Sequence, residues 1–125
     1  SHEAALFLLG LSEREPASVT ATVATGTGSA TLAREGVKVY KVKADLLMLG
    51  VGMAETPFGH PVRCYGRERT LVDLLRSRTT VDHQELLAAL KGYARSRQRN
   101  IPLLMRYARA FSVERTLATY LEVLL

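Results

Sequence analysis

The sequence predicts an α+β domain in which a small, mostly antiparallel β-sheet in the N-terminal half packs with a cluster of three to four C-terminal α-helices. Apolar and polar residues alternate over 17–24, which is typical of a strand with one buried face. After Gly66, apolar residues recur at helical spacing. The 125 residues, 47% of them hydrophobic, have the length of one ordinary domain, so we expect a single domain over 1–125.

Short elements are predicted for the N-terminal half. In order, they are a helix 2–10 closed by Gly10, a strand 17–24, a helical turn 30–35, a strand 37–42, a short helix 44–49 and a hairpin between Met53 and Tyr65. The loop 26–29 is rich in glycine, but it lacks the lysine and the spacing of a phosphate-binding loop. We therefore interpret it as a flexible connection.

The C-terminal half is predicted to be helical, with helices over 67–77 and 83–97 and two more towards the C-terminus. Asp82 has the position of an N-cap, with Glu85 three residues later as its capping-box partner. Asn100 is predicted to cap the third helix of this half and Ser112 the fourth. Leucines and aromatic residues at helical spacing predict that the last two helices each have one apolar stripe.

Positive charge is concentrated in the C-terminal half. The net charge is +5, and the residues after His60 include 12 Lys/Arg against 6 Asp/Glu, whereas those up to His60 include 5 against 6. No acidic residue lies between Leu86 and Val113. Either this stretch binds a polyanion such as DNA, or it is a solvated helix surface kept basic for solubility. The candidate nucleic-acid-binding residues are Lys91, Arg95, Arg97, Arg99, Arg106 and Arg109.

Arg69 and Asp73 are four residues apart on the predicted helix 67–77. One interpretation is an exposed i,i+4 ion pair, which contributes only about 0.3–0.5 kcal/mol. The other is a partly buried ion pair that joins the helices to the sheet. The sequence leaves both open.

Residue types and spacings give no support for catalysis or a bound cofactor. Cys64 is the only cysteine, and the histidines at positions 2, 60 and 83 do not have the spacing of zinc ligands. His2 and His60 are interpreted as local hydrogen-bonding or capping groups. We find no nucleophile elbow, HExxH or paired-carboxylate motif, and no membrane span or signal peptide. These patterns predict a cytoplasmic protein that is not an enzyme and has no metal site.

Several segments carry a family resemblance through their order and spacing over almost the whole chain. They are Ser1-His2-Glu3-Ala4-Ala5-Leu6, Gly10-Leu11-Ser12, Gly36-Val37-Lys38-Val39-Tyr40, Thr56-Pro57-Phe58-Gly59-His60, Glu68-Arg69-Thr70, Asp73-Leu74-Leu75-Arg76-Ser77 and Tyr120-Leu121-Glu122-Val123-Leu124-Leu125. Together they resemble the C-terminal domain of the AbiEi antitoxins, which belong to bacterial abortive-infection systems of the type IV toxin–antitoxin class and give phage resistance. Each segment alone is weakly specific.

The resemblance implies a longer protein with an N-terminal winged helix-turn-helix that binds its own promoter and is not part of this chain. Ser1, which has the position of a helix cap and no preceding methionine, also predicts a fragment of a longer protein. The resemblance further implies that this domain neutralises an AbiEii-like nucleotidyltransferase toxin without requiring a stable complex. Its basic face is expected to assist DNA binding and autorepression, and no catalytic residue is implied.

Two other hypotheses remain open from the sequence. The first is a protein-interaction or oligomerisation module of a transcriptional regulator without direct DNA contact. It would use the apolar stripes near the C-terminus and the N-terminal helix for a partner or for self-association. The second is a small nucleic-acid-processing enzyme, which no motif supports.

Overall fold

Two separate two-stranded sheets lie in the N-terminal half of the computed structural model, which describes residues 1–12, 19–28 and 30–124. Strands β1 (Thr20–Ala24) and β2 (Lys38–Val42) pair in parallel. Strands β3 (Val51–Glu55) and β4 (Pro61–Tyr65) form an antiparallel hairpin. The α+β class and the hairpin predicted from the sequence are confirmed.

The prediction of a mostly antiparallel sheet is wrong for the first pair of strands. Helix α2 (Ala30–Arg34) lies between β1 and β2 and packs against β2, so the connection crosses over and returns the chain to the start of β1. Thr20 accordingly pairs with Lys38, and Ala24 with Val42. Such a crossover is the connection that parallel strands require. The helical turn is predictable from the sequence, but the direction of β2 depends on where that turn packs.

The other N-terminal elements are close to their predicted bounds. Helix α1 spans His2–Leu8, and a 3₁₀ turn spans Ala44–Leu46 inside the predicted helix 44–49. β1 begins at Thr20, one residue after Val19 of the predicted strand 17–24, and residues 17 and 18 of that prediction lie outside the described residues. Residue 29 of the glycine-rich loop also lies outside them.

Four helices make up the C-terminal half: α3 (Arg67–Arg76), α4 (His83–Arg95), α5 (Ile101–Ala110) and α6 (Glu114–Leu124). Helix α3 is central and packs against α1, α4 and α5, while α6 packs against α4 and α5. Within the described residues, no helix has both the length and the apolar character needed to cross a membrane.

The core is formed mainly by the apolar stripes of the C-terminal helices. Both stripes predicted near the C-terminus contribute buried side chains to it: Leu104, Ala108, Phe111, Val113, Leu117 and Leu121. Ala5 and Leu6 of α1 are also buried. These buried side chains are therefore not accessible to a partner in this fold, whereas Tyr107, Tyr120 and Leu124 of the same stripes are half-buried.

The predicted N-caps of α4 and α5 are confirmed. Asp82 accepts hydrogen bonds from the N–H groups of Gln84 and Glu85 at 2.9 and 3.3 Å, and Asn100 accepts one from Leu103 at 3.1 Å. The Glu85 carboxylate, predicted as a capping-box partner, accepts a hydrogen bond from the hydroxyl of Ser12 at 3.1 Å. It thereby links α4 to the segment after α1.

Ser112 does not cap α6 as predicted but closes α5. Its φ of +59° is left-handed, and its N–H donates to the carbonyl of Arg109 at 3.1 Å. The next N–H, that of Val113, donates to the carbonyl of Ala108 at 2.9 Å. These two bonds form a Schellman motif with Ser112 in the position that glycine normally occupies.

Replacing Ser112 with glycine is expected to stabilise the domain by about 1 kcal/mol, because glycine has no Cβ to oppose a left-handed conformation. The serine side chain is exposed, so no packing is lost. Urea denaturation of the variant gives the free energy of unfolding. Ser112→Ala is the control, and we expect it to be near neutral. A loss of about 1 kcal/mol in Ser112→Ala would instead indicate an N-cap.

The Arg69–Asp73 pair joins α3 to the N-terminal half. Arg69 Nε donates to Asp73 Oδ1 at 3.0 Å, and the side chains are 0% and 2% exposed. Arg69 Nη1 donates to the carbonyls of Leu46 and Leu49 at 2.8 and 2.5 Å. The pair is therefore a buried one, and the interpretation as an exposed i,i+4 pair is wrong.

Two aromatic rings also lie against the buried guanidinium, whose Nη2 has no hydrogen-bond partner among the described residues. Its Cζ lies 3.8 Å from the ring centroid of Tyr65 on β4 and 4.5 Å from that of Phe111 at the end of α5. Cation–π contacts are strongest where water is excluded. Arg69 consequently connects the 3₁₀ turn, the hairpin and two helices through one side chain.

Candidate nucleic-acid interface

Lys91 and Arg95 lie on the exposed side of α4, one helical turn apart. The opposite side of the helix is buried through Leu86, Leu90 and Tyr93. Because the apolar residues fix the rotation of α4 against α3 and α6, both cations point to solvent. Neither forms an ion pair within the part of the chain that the structure describes.

Helix α4 ends at Arg95 rather than at the predicted residue 97. Ser96 is extended, with ψ of 140°, so the following residues leave the helical path. Arg99 is eight residues after Lys91 and would share its helical face only in a longer helix, so here it lies on the connection to α5. Its guanidinium Nη1 donates to the carbonyl of Ser96 at 2.9 Å and remains exposed.

The connection 96–100, which carries Arg97 and Arg99, is held by the buried Tyr93, whose role is not predicted from the sequence. Tyr93 Oη accepts a hydrogen bond from the N–H of Asn100 at 2.6 Å. Burial raises the pKa of the Tyr93 phenol well above its ordinary value. The C-terminal end of the connection is thus held at Asn100, to α4 through Tyr93 and to α5 through the Asn100 cap.

Arg106 and Arg109 lie three residues apart on the exposed side of α5, opposite the buried Leu104 and Ala108. Arg109 Nε is 3.5 Å from Glu114 Oε2, with side chains 63% and 43% exposed. An ion pair this exposed is weak. Helices α4 and α5 both pack on α3 and α6 and make few contacts with each other.

The six candidate residues are therefore all exposed, but they do not form one flat face. Lys91, Arg95 and the connection 96–100 follow each other along the chain. Arg106 and Arg109 are exposed on a second helix, α5, and we call all six residues together the basic strip. We call the first group the α4 basic end, defined by Lys91, Arg95, Arg97 and Arg99.

No protein-family model and no curated protein matches this chain. The resemblance to the AbiEi antitoxins therefore stays a prediction based on the sequence segments, and the basic strip has to be judged by its own chemistry.

Guanidinium and ammonium groups without acidic neighbours are suited to contacts with phosphate oxygens. Tyr93 and Phe111 are buried and Tyr107 is half-buried, so residues 87–112 expose no aromatic ring fully for stacking on single-stranded bases. The arrangement favours contacts with the backbone of a duplex over readout of bases. In the described residues, no group of His, Cys, Asp and Glu side chains is placed to hold a metal ion.

Proposed function

We propose that this chain is an antitoxin and co-repressor domain of the AbiEi type that contacts the phosphates of duplex DNA through its α4 basic end. The observation that carries the proposal is a run of exposed cations over residues 87–112 that includes no acidic residue. Phosphate contacts of this kind add affinity and position a protein on DNA without reading its sequence.

In the longer repressor that the resemblance implies, sequence recognition would belong to the winged helix-turn-helix domain. The α4 basic end would add contacts next to the operator and so strengthen autorepression. Neutralisation of a nucleotidyltransferase-like toxin would then need no stable complex between the two proteins. The resemblance supports the role in neutralising the toxin, and the basic surface supports the contact with DNA.

Substituting Lys91, Arg95 and Arg99 with glutamate is expected to weaken binding of the chain to duplex DNA and to flatten its salt dependence. Each phosphate contact contributes about 0.9 to the slope of log K against log salt concentration, so three lost contacts reduce the slope by about 3. Fluorescence anisotropy with two unrelated duplexes over a range of salt concentrations measures both quantities. The two duplexes should be affected equally, because phosphate contacts are independent of sequence.

A triple variant of Arg34, Arg63 and Arg115, each changed to glutamate, is the matched control. These arginines are exposed and lie on α2, β4 and α6, outside the basic strip. The control has the same change in net charge and should retain most of the affinity and the slope. Equal losses in both triple variants would mean that only net charge matters, and would contradict a defined interface.

The antitoxin role requires a separate test. The chain would be co-expressed with the toxin encoded beside it, and growth would be scored with and without the three glutamate substitutions. Rescue of growth by the unmodified chain supports the antitoxin role. If growth is not rescued, this domain alone is not the antitoxin. The DNA contact is tested separately, by the anisotropy measurements.

A specific observation also favours the protein-interaction alternative, at a place other than the one predicted. The β3–β4 hairpin exposes Met53 and Phe58, at 66% and 89%. Exposed apolar side chains are typical of contact surfaces where they form a contiguous patch. Phe58→Ser would weaken self-association in light scattering if this hairpin is the interface, and would leave DNA affinity unchanged.

A further inference from the structure

A cleft of about 480 Å³ lies between strand β1 and the β3–β4 hairpin. Three apolar side chains that line it come from the 3₁₀ turn region and from β3: Leu47, Met48 and Val51. Met48 is 57% exposed, so the apolar lining reaches the surface of the domain. Pockets that bury a whole small ligand usually have volumes of about 300–1,000 Å³, so this cleft has room for an aromatic side chain.

One face of the hairpin continues the lining of the cleft. Val51 pairs with Tyr65, and Met53 pairs with Arg63. Alternate residues of a strand share a face, and cross-strand partners lie on the same face. Val51, Arg63 and Tyr65 line the cleft, so Met53, which is 66% exposed, extends the same surface towards the tip of the hairpin. Methionine and arginine are both enriched where proteins contact each other.

The tip of the hairpin carries Phe58, whose side chain is 89% exposed. The turn around it is held by its own hydrogen bonds. The N–H of Gly59 donates to the carbonyl of Thr56, and the N–H of Thr56 donates to the carbonyl of His60, both at 2.9 Å. An ordered turn loses little conformational entropy on binding. An aromatic side chain presented in this way is typical of an anchor that fills a pocket on a partner.

The charges on this face are complementary to a second copy of the same face. Glu55 and Arg63 are exposed, and neither forms an ion pair among the described residues. Both lie on the face that carries Met53. A two-fold dimer brings the same patch of each copy together, so such a patch must offer both members of every contact. One acid and one base on the hairpin therefore favour a second copy as the partner.

A single two-fold axis satisfies the charges and the cleft together. An axis at Ala54 reverses the second hairpin, so residues equally far from Ala54 on either side lie opposite each other. Glu55 then lies beside Arg63 of the second copy, because Arg63 pairs with residue 53. Phe58 is four residues after the axis and lies opposite residue 50 of the second copy, next to the lining of the cleft.

We propose that two copies of this chain form a two-fold dimer in which Phe58 of each copy inserts into the cleft between β1 and the hairpin of the other. Glu55 of each copy pairs with Arg63 of the other. This inference rests on the hairpin surface of the protein-interaction alternative and not on the contact with DNA. The dimer face lies outside the basic strip, so dissociation should leave the phosphate contacts of each copy unchanged.

Sedimentation equilibrium of the chain gives its oligomeric state. We expect a dimer at about 1 mM, a concentration at which even weak complexes form. A chain that is monomeric at this concentration but binds duplex DNA would overturn the dimer and leave the DNA contact standing. A dimer that does not bind DNA would support this inference and contradict the DNA contact.

Phe58→Ser and Met48→Glu should each weaken dimerisation by about 30-fold or more, the usual effect of losing an anchor residue. Both positions are exposed, so the variants should keep the Tm of the unmodified chain. Val123→Ser is the matched control, because it removes an apolar side chain that is 84% exposed on α6 and should leave the dissociation constant unchanged. Equal dissociation constants for Phe58→Ser and Val123→Ser would overturn the role of the hairpin tip.

Mixing the two defective variants tests whether the insertion is reciprocal. Phe58→Ser lacks the inserted ring, and Met48→Glu has an altered cleft. A heterodimer keeps one intact contact, between Phe58 of the Met48→Glu copy and the unaltered cleft of the other, whereas each homodimer keeps none. An equimolar mixture should therefore be more dimeric than either variant alone at the same total concentration. A mixture that is no more dimeric would overturn reciprocal insertion.

Charge reversal tests the pairing of the two copies. Glu55→Arg and Arg63→Glu should each weaken the dimer by about tenfold, because like charges then face each other across the axis. The double variant should recover most of the affinity, since each copy again offers one acid and one base. Glu122→Arg is the matched control, with the same change in charge as Glu55→Arg at an exposed position on α6. A double variant as weak as the single ones would overturn the pairing.

Discussion

Replacing Asp73 with alanine should destabilise the domain by about 3–5 kcal/mol, because the change leaves the Arg69 guanidinium charged, buried and without its carboxylate. Arg69 is 0% exposed and cannot reach water without leaving the core. Burial raises the pKa of Asp73, and Arg69 opposes that rise, as expected for a carboxylate held in the interior by its partner. Urea denaturation measures the loss, which is a large part of the usual stability of about 5–15 kcal/mol.

The exposed pair of Arg109 and Glu114 provides the matched control. Glu114→Ala also removes one carboxylate from an arginine, but the two side chains are 63% and 43% exposed, so we expect a loss of at most about 1 kcal/mol. If Asp73→Ala should not fold, Asp73→Asn still tests the argument, since the amide keeps an acceptor for Arg69 Nε but no charge. A loss in either Asp73 variant no larger than that in Glu114→Ala would contradict the importance of burial.

Replacing both members of the buried pair separates its charge from its shape. In Arg69→Met with Asp73→Leu, no unpaired charge is left in the core, so the double variant should be more stable than Asp73→Ala. It should still be less stable than the unmodified chain, because the carbonyls of Leu46 and Leu49 lose their donor. If the three proteins have this order of stability, most of the free energy of unfolding lost in Asp73→Ala comes from the unpaired charge of Arg69.

The local parts of the fold could be predicted from the sequence because their signals lie within a few residues. The Asp82 and Asn100 caps, the hairpin and the helical stripes are of this kind. The parallel pairing of β1 and β2 could not be predicted in the same way, because it depends on where α2 packs. Ser112 was misassigned because a serine between two helices satisfies the local pattern of an N-cap and that of a helix end equally well.

The candidate interface was predictable as a set of exposed cations but not as a shape. Lys91 and Arg95 are four residues apart, and this spacing is enough to place them on one face of α4. The end of α4 is determined by the Tyr93–Asn100 hydrogen bond and the extended Ser96, both of which depend on tertiary structure.

Gly50 lies where the turn after the 3₁₀ element closes over Arg69, and only glycine fits there. Its φ is +79°, and a Cβ at this position would lie 2.7 Å from Arg69 Cβ and 3.3 Å from Tyr107 Cε2. The first of these atoms belongs to the stem of a buried side chain on α3, so it cannot move aside as the end of a flexible side chain could. The turn must shift, and with it the carbonyl of Leu49 that accepts from Arg69.

Gly50→Ala should therefore destabilise the domain by about 2–4 kcal/mol, the combined cost of a left-handed alanine and of overpacking. Gly36→Ala is the matched control: its φ is +81°, but no atom lies within 4 Å of the added Cβ, so only the backbone cost of about 1–2 kcal/mol remains. Urea denaturation of both variants isolates the steric contribution as their difference. Equal losses would mean that the turn yields easily, and that Arg69 does not require the close approach of Gly50.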